Sequence, residues 1–190
     1  KVLALRADEV QMPGGRTGVR EILEHTGAVA VAAVDDDQRI MLIHQYRHAV
    51  RRRLWELPAG LLDVDGEDPL TTAQRELAEE AGLRASDWSL LLDIVPSPGF
   101  SEESVRIYLA RGITEMGRPV SDADDEESDL VTRWVPLADA LRMVFSGEIV
   151  NATTVSAVLA LHALATQKGN TRPVDTDWVD RPTRFAARQR

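Results

Sequence analysis

The 190-residue chain contains no cysteine. Disulfides and thiolate-held metals are therefore excluded, and a cytoplasmic setting is expected. It also lacks any unbroken apolar run of eighteen residues, so no membrane-spanning helix is predicted. No signal peptide is visible; Lys1 falls in what reads as mid-strand, so a native start is expected further upstream. Basic residues are in deficit: 22 Lys and Arg stand against 31 Asp and Glu, a net charge of -9. That balance argues against a nucleic-acid partner, which demands a basic face. An anionic small molecule would have to be received by local arginines or by metal, not by the overall field. The histidines, His25, His44, His48 and His162, show no metal-ligand spacing and read as structural.

What is present is ample for a core, with 44% hydrophobic residues. The length suggests one domain with an appended element. Residues 2–10 and 19–24 read as short strands around a turn at 12–18, too weakly apolar to form a core alone. Strands are predicted at 28–34 (AVAVAAV) and 39–46 (RIMLIHQY), with a turn at 35–37, and residues 54–57 lead into Pro58 and Gly60. Further strands at 88–95 and 104–110 flank a loop over 96–103, and an acidic loop at 121–129 precedes a strand at 130–135. Pro136 starts a helix to about Phe145, and Asn151 leads another over about 153–167 that is apolar on most faces and so expected to be packed. The tail from Lys168 is rich in Arg, Pro and Asp, with Trp178 and Phe185 as candidate anchors. This order predicts an α/β (α+β) sandwich divided as 1–25, 26–167 and 168–190.

The densest chemistry lies in 60–83, GLLDVDGEDPLTTAQRELAEEAGL. Asp68 is a fair N-cap and Pro69 fits a first helical turn. Leu70, Ala73, Leu77 and Ala81 recur at helical spacing, and Gly82 supplies a C-cap. On that helix Glu76 lies three residues from Glu79 and four from Glu80, so Glu76 and Glu80 share a face about one turn apart. Like charges so placed repel by a few tenths of a kcal/mol. A hard divalent cation with oxygen ligands would offset that cost, with Arg75 orienting a carboxylate. A bare acidic triplet reads more simply as a solvated helix face; Gly60, Glu67, Arg75 and Gly82 in register with it favour the metal site.

Gly60, Glu67, Arg75, Glu76, Leu77, Glu79, Glu80, Gly82 and Leu83 together resemble the Nudix box. One departure exists: six residues, not the usual five, separate Gly60 from Glu67. The extra residue falls in a Gly/Asp turn, where insertion disturbs least; it leaves the role of Glu67 open and the helix untouched. Within that family the chain resembles the ADP-ribose pyrophosphatase branch. The resemblance rests on Pro98, sixteen residues beyond Gly82 in SPGFSEE, on Gln45-Tyr-Arg47, on 53–60 (RLWELPAG), on the acidic loop and on 147–151 (GEIVN).

The resemblance implies a Nudix α/β/α sandwich of mixed sheets with flanking helices, plus a small N-terminal antiparallel sheet. It implies metal-dependent hydrolysis of ADP-ribose to AMP and ribose 5-phosphate, with Mg²⁺ (or Mn²⁺) as cofactor. It further implies a homodimer in which the N-terminal strands swap to the partner. Carried over, Glu76 and Glu80 bind metal, with Glu79 and the Ala59 carbonyl assisting. Arg47 holds a phosphate, Glu56 sits near ribose or adenine, and Glu102 lies near metal or substrate. Glu126 or Glu127 positions or deprotonates the attacking water. Of the Arg51–Arg53 run, at least one arginine, with Arg53 the candidate, meets diphosphate or a partner acid; Phe100 and Trp55 are candidates for stacking on adenine, or core. The alternatives are pyrophosphatase action on another nucleoside diphosphate sugar, or a non-catalytic ADP-ribose sensor.

Overall fold

The structure, a computed structural model, describes residues 3–118 and 129–188. Three sheets form. A hairpin pairs β1 (Leu3–Gln11) with β2 (Thr17–His25). A four-stranded mixed sheet contains β3 (Ala28–Ala33), β6 (Ala59–Leu61), β7 (Leu83–Ile94) and β8 (Val105–Glu115) in the order β6-β3-β8-β7, with β3 and β8 parallel. A three-stranded antiparallel sheet has the order β5-β4-β9, from β4 (Arg39–Arg47), β5 (Arg52–Glu56) and β9 (Val131–Pro136).

Alternation along β3 and β8 sets the layers. Val29, Val31 and Ala33, with Tyr108 and Ala110, face Ala73 and Leu77 of α1 (Pro69–Ala81). Ala30, Ala32, Ile107 and Leu109 face the other way, toward Ile40 and Leu42 of β4 and Ala157, Val158 and Leu161 of α3 (Ala152–Ala165). A strand covered on both faces must be apolar at every position, and this is why β3 reads as an unbroken hydrophobic run. Between β9 and α3, α2 (Leu137–Ser146) adds Ala140 and Met143 to the same core. The resulting helix/sheet/helix sandwich is the expected fold class.

Helix α1 has the expected bounds because local signals agree. The Asp68 carboxylate accepts the Leu70 N–H at 2.9 Å, Pro69 occupies the first turn, and Gly82 closes the helix at φ 65°. Asn151 caps α3 by accepting the Thr154 N–H at 3.0 Å. Other elements differ from expectation. Strand β7 starts directly after Gly82 rather than at 88, and β8 runs on to Glu115. These extensions pair Leu83 with Glu115 through Asp87 with Arg111, backbone to backbone, with little apolar signal. The short β6 is additional. Helix α3 packs one side only; Leu159 is exposed. A final short helix, α4 (Arg184–Arg188), buries Phe185.

The hairpin joins the body at the loop before β8. Leu23 donates its N–H to Phe100 O at 2.7 Å, and Glu102 N–H donates to Leu23 O at 3.1 Å. Glu24 is fully buried and paired with Arg6. Leu3, Leu5 and Val19 remain exposed.

Candidate active site

Helix α1 and strand β6 bring the box carboxylates together. Glu80 is buried, and its Oε2 accepts the Ala59 N–H at 2.8 Å. One turn earlier, Glu76 lies against Gly60: a Cβ there would collide with its Oε1, Cδ and Cγ. Gly60 is thus required by close approach, since any side chain would evict the carboxylate. Two carboxylates from successive turns therefore meet the same two-residue stretch of backbone.

Arg75 organises the rest. It contacts Glu76 Oε1 at 2.7 Å, Glu79 Oε2 at 2.9 Å and Glu67 Oε2 at 3.2 Å. The hydrogen bond to Glu67 is the largest influence raising the Arg75 pKa; burial opposes it, and Glu76 and Glu79 add to it. Reciprocally, Arg75, and then the Thr72 hydroxyl at 2.8 Å, hold the Glu67 carboxyl below its usual range. The lengthened turn thus still delivers Glu67, as a partner of Arg75.

Among the described residues no three acidic or histidine side chains already converge into a cation cage. The donor chemistry nonetheless fits a hard divalent ion: half-buried carboxylates, oxygen throughout, pressed against a glycine cradle that a Cβ would fill.

Ala59 and Gly60 also line a cavity of about 500 Å³ with His25, Arg47, Glu56, Glu103 and Asn151 among its walls. Arg47 forks onto the buried Glu56, with Nε at 3.0 Å from Oε1 and a terminal nitrogen at 2.7 Å from Oε2. Cation and carboxylate thus line the cavity as a pair, together with the two backbone residues that the box carboxylates meet.

Other expected residues fall elsewhere. Arg53 does not line this cavity; it pairs with Asp129 and donates to His44 O at 3.4 Å. Glu102 and Phe100 line a separate cavity of about 630 Å³, with Arg6, Pro98 and residues 179–184. Glu102 stands 3.8 Å from Arg6, and Phe100 is 59% exposed. Trp55 stacks on His44 with ring centroids 4.4 Å apart and packs against the core. Glu126 and Glu127 lie outside the described residues.

Two wall residues had no evident signal in the sequence. Glu103 is one of two adjacent acids; the segment is held by backbone bonds from Phe100 and Glu102 to Leu23, and Glu103 donates its N–H to Ser101 Oγ at 3.1 Å. His25, one of four unspaced histidines, reaches the wall through the turn at Gly27 (φ 87°), whose N–H donates to its Nδ1 at 3.0 Å. Burial lowers the His25 pKa, against the opposing pull of Glu103 and Glu102. With Nδ1 accepting, the neutral ring carries its proton on Nε2.

The NUDIX domain family matches residues 24–155. An ADP-ribose pyrophosphatase of Mycobacterium tuberculosis is 56% identical over 188 residues, covering 99% of this chain and 90% of that protein. A methanol dehydrogenase activator of Bacillus methanolicus is 37% identical over 158 residues, covering 83% of this chain and 84% of that one. Among solved structures, an ADP compounds hydrolase superposes with a TM-score of 0.69 at 22% identity, over 89% of this chain and 97% of that one. That last likeness speaks to the fold alone. The family match takes in β3, β6 and the whole of α1, where the box carboxylates and the backbone they meet lie: the chain belongs to the Nudix family.

Proposed function

We propose that this chain hydrolyses the diphosphate of ADP-ribose, with water, to AMP and ribose 5-phosphate. The observation that carries the reading is the seating of Glu76 and Glu80 on Ala59–Gly60, two residues that also line the Arg47/Glu56 cavity. The substrate is indicated by 56% identity to an ADP-ribose pyrophosphatase along nearly the whole chain.

Glu76 and Glu80, helped by Glu79 and the Ala59 carbonyl, would hold Mg²⁺ or Mn²⁺. Such an ion supplies Lewis-acid neutralisation of diphosphate charge and lowers the pKa of bound water. Arg75, paired with Glu67, Glu76 and Glu79, offsets the repulsion among those three of the four box glutamates. Arg47 turns its guanidinium to a phosphate, a bidentate match. Glu56, released from that pair, accepts hydroxyl hydrogens of a ribose. Glu126 or Glu127 takes the proton of the attacking water, as general bases contributing ~10²–10⁴-fold do.

A homodimer belongs to the same reading. Leu5 is 73% exposed and Val19 59% exposed on a two-stranded hairpin too small to bury them, and a second copy would cover them. Cytoplasmic placement accords with a chain free of cysteine.

The test is a metal-supplemented panel of ADP-ribose, ADP-glucose, GDP-mannose, NADH and diadenosine polyphosphates, with products separated by chromatography. Preference for ADP-ribose with AMP and ribose 5-phosphate released is expected. Preference for another compound would replace the substrate and keep the site. Tight binding of ADP-ribose with no cleavage would put a sensor in place of the enzyme.

A further inference from the structure

The segment after α3 is not a loose tail. Arg172 pairs with Leu90 of β7 through two backbone hydrogen bonds, each 2.8 Å, and its guanidinium reaches Asp93 at 3.1 Å. Asp93 also holds Arg106 of β8, at 2.8 and 3.2 Å. Arg106 is buried, and burial works against its charge, but Asp93 and, less strongly, Tyr108 oppose this and its pKa is raised. The same guanidinium donates to Thr176 O at 2.8 Å and lies 4.8 Å from the centre of the Trp178 ring. Trp178 in turn donates its indole N–H to Ser104 Oγ at 2.9 Å. Beyond it, Pro182 packs so close to Gly27 that a Cβ there would stand 3.2 Å from it, and Phe185 is buried.

These contacts converge on one short segment. Ser104 is 1% exposed and its carbonyl accepts the Ala28 N–H at 3.1 Å. Its neighbours Glu103 and Val105 line the proposed substrate cavity, and Gly27 lies between the wall residues His25 and Ala28. The strap thus contacts both backbone stretches that contribute to the cavity wall while lining none of the cavity itself.

We propose that residues 172–185 are a positioning strap for the active site, and that Trp178, through Ser104, sets where Glu103 stands against the substrate. Trp178 is a positioning residue: it acts through Ser104 and Glu103. The inference rests on the reading above that this cavity takes the substrate, but the grip on Ser104 is independent of what the substrate is.

The experiment uses the full chain with Trp178→Phe, which keeps an aromatic ring beside Arg106 but removes the N–H donor together with the five-membered part of the indole. Ser104→Ala removes the acceptor, and the double variant closes the cycle. The loss of one buried neutral hydrogen bond corresponds to an effect of about fivefold. Expected are a KM for ADP-ribose raised about fivefold in each single variant, no further rise in the double variant, and kcat within about twofold of wild type. In substrate-free protein, amide exchange should quicken by a similar factor at Ala28 and across 102–105, and stay unchanged at Thr154 in α3. Unchanged KM, additive effects in the double variant, or kcat and thermal stability falling together with KM untouched would each overturn the strap's role. Failure of the wild type to cleave ADP-ribose would remove the function reading alone; the exchange pattern, read without substrate, then decides the strap by itself.

Discussion

Replacing Gly60 with alanine separates the fold from the chemistry. Gly60 is not in the left-handed region, so alanine fits its backbone. A Cβ at that point falls roughly 1 Å or more inside normal contact with the Glu76 carboxylate, against an optimum of about 3.5 Å. The atoms it meets are the far end of a flexible side chain, so Glu76 swings away and the backbone stays. The structural cost is the ion pair with Arg75 at 2.7 Å, partly exposed and contributing about 0.2–1 kcal/mol. Arg75 keeps Glu67 and Glu79, and the methyl group returns about 0.5–1 kcal/mol by restricting the unfolded chain. Stability should therefore change by less than about 1 kcal/mol, or about 2–4 °C in Tm for a chain of this size. Activity should fall far more, because displacing a group at the reacting centre by about 1 Å costs on the order of 10²-fold. The assay is AMP release at saturating substrate and divalent metal, paired with calorimetry. Activity within threefold of wild type would refute the placement of Glu76, and so would a large Tm drop accounting for the loss.

Other substitutions probe the remaining parts. Glu80→Gln can still accept the Ala59 N–H, so it should fold normally while losing at least ~10²-fold in kcat through the missing charge. Arg51→Ala, on an exposed turn, should stay within about twofold, and equal mild losses from both would contradict the assignment. Leu77→Ala, at a position with no exposed surface beneath the carboxylates, should cost about 2–5 kcal/mol in denaturant unfolding; under 1 kcal/mol would contradict the packing described. The lowered pKa of His25 means that the folded state binds its proton less readily than the unfolded state, where the value is about 6.5. Its neutral form therefore contributes stability that is present above about pH 6.5 and lost as pH falls through the folded His25 value. Acidification from pH 7 to 5 should lower the wild-type Tm more than that of His25→Asn, and parallel pH profiles would count against this.

The fold was legible wherever local and long-range forces agree. For α1, capping at Asp68, the turn at Gly82 and the spacing of Ala73 and Leu77 all name the same helix. Strand β3, covered on both sides, carries its own hydrophobic signature. The added ends of β7 and β8 carry little, because polar residues separate the few apolar ones, Leu83, Ala85 and Ile113, that pack on the core. Strand β6 is three residues long and includes the glycine that the site requires. The carboxylate cluster was legible because it lies on one helix, where spacing is geometry. The two cavities were not. Which cavity Glu102 and Glu103 line goes with bonds from residues 100–102 to Leu23, nearly eighty positions away. Arg53, a candidate for diphosphate or a partner acid, pairs here with Asp129, across 76 positions that no local pattern encodes.

The central claim is that the diphosphate lies between the box glutamates and Arg47. The most direct measurement is a crystal structure of the Glu80→Gln variant with ADP-ribose and a divalent metal. The account expects density for the diphosphate beside Ala59 and Gly60, with Arg47 turned from Glu56 to a phosphate oxygen. Ligand found instead in the cavity beside Phe100 and Glu102, with Arg47 still forked onto Glu56, would contradict it.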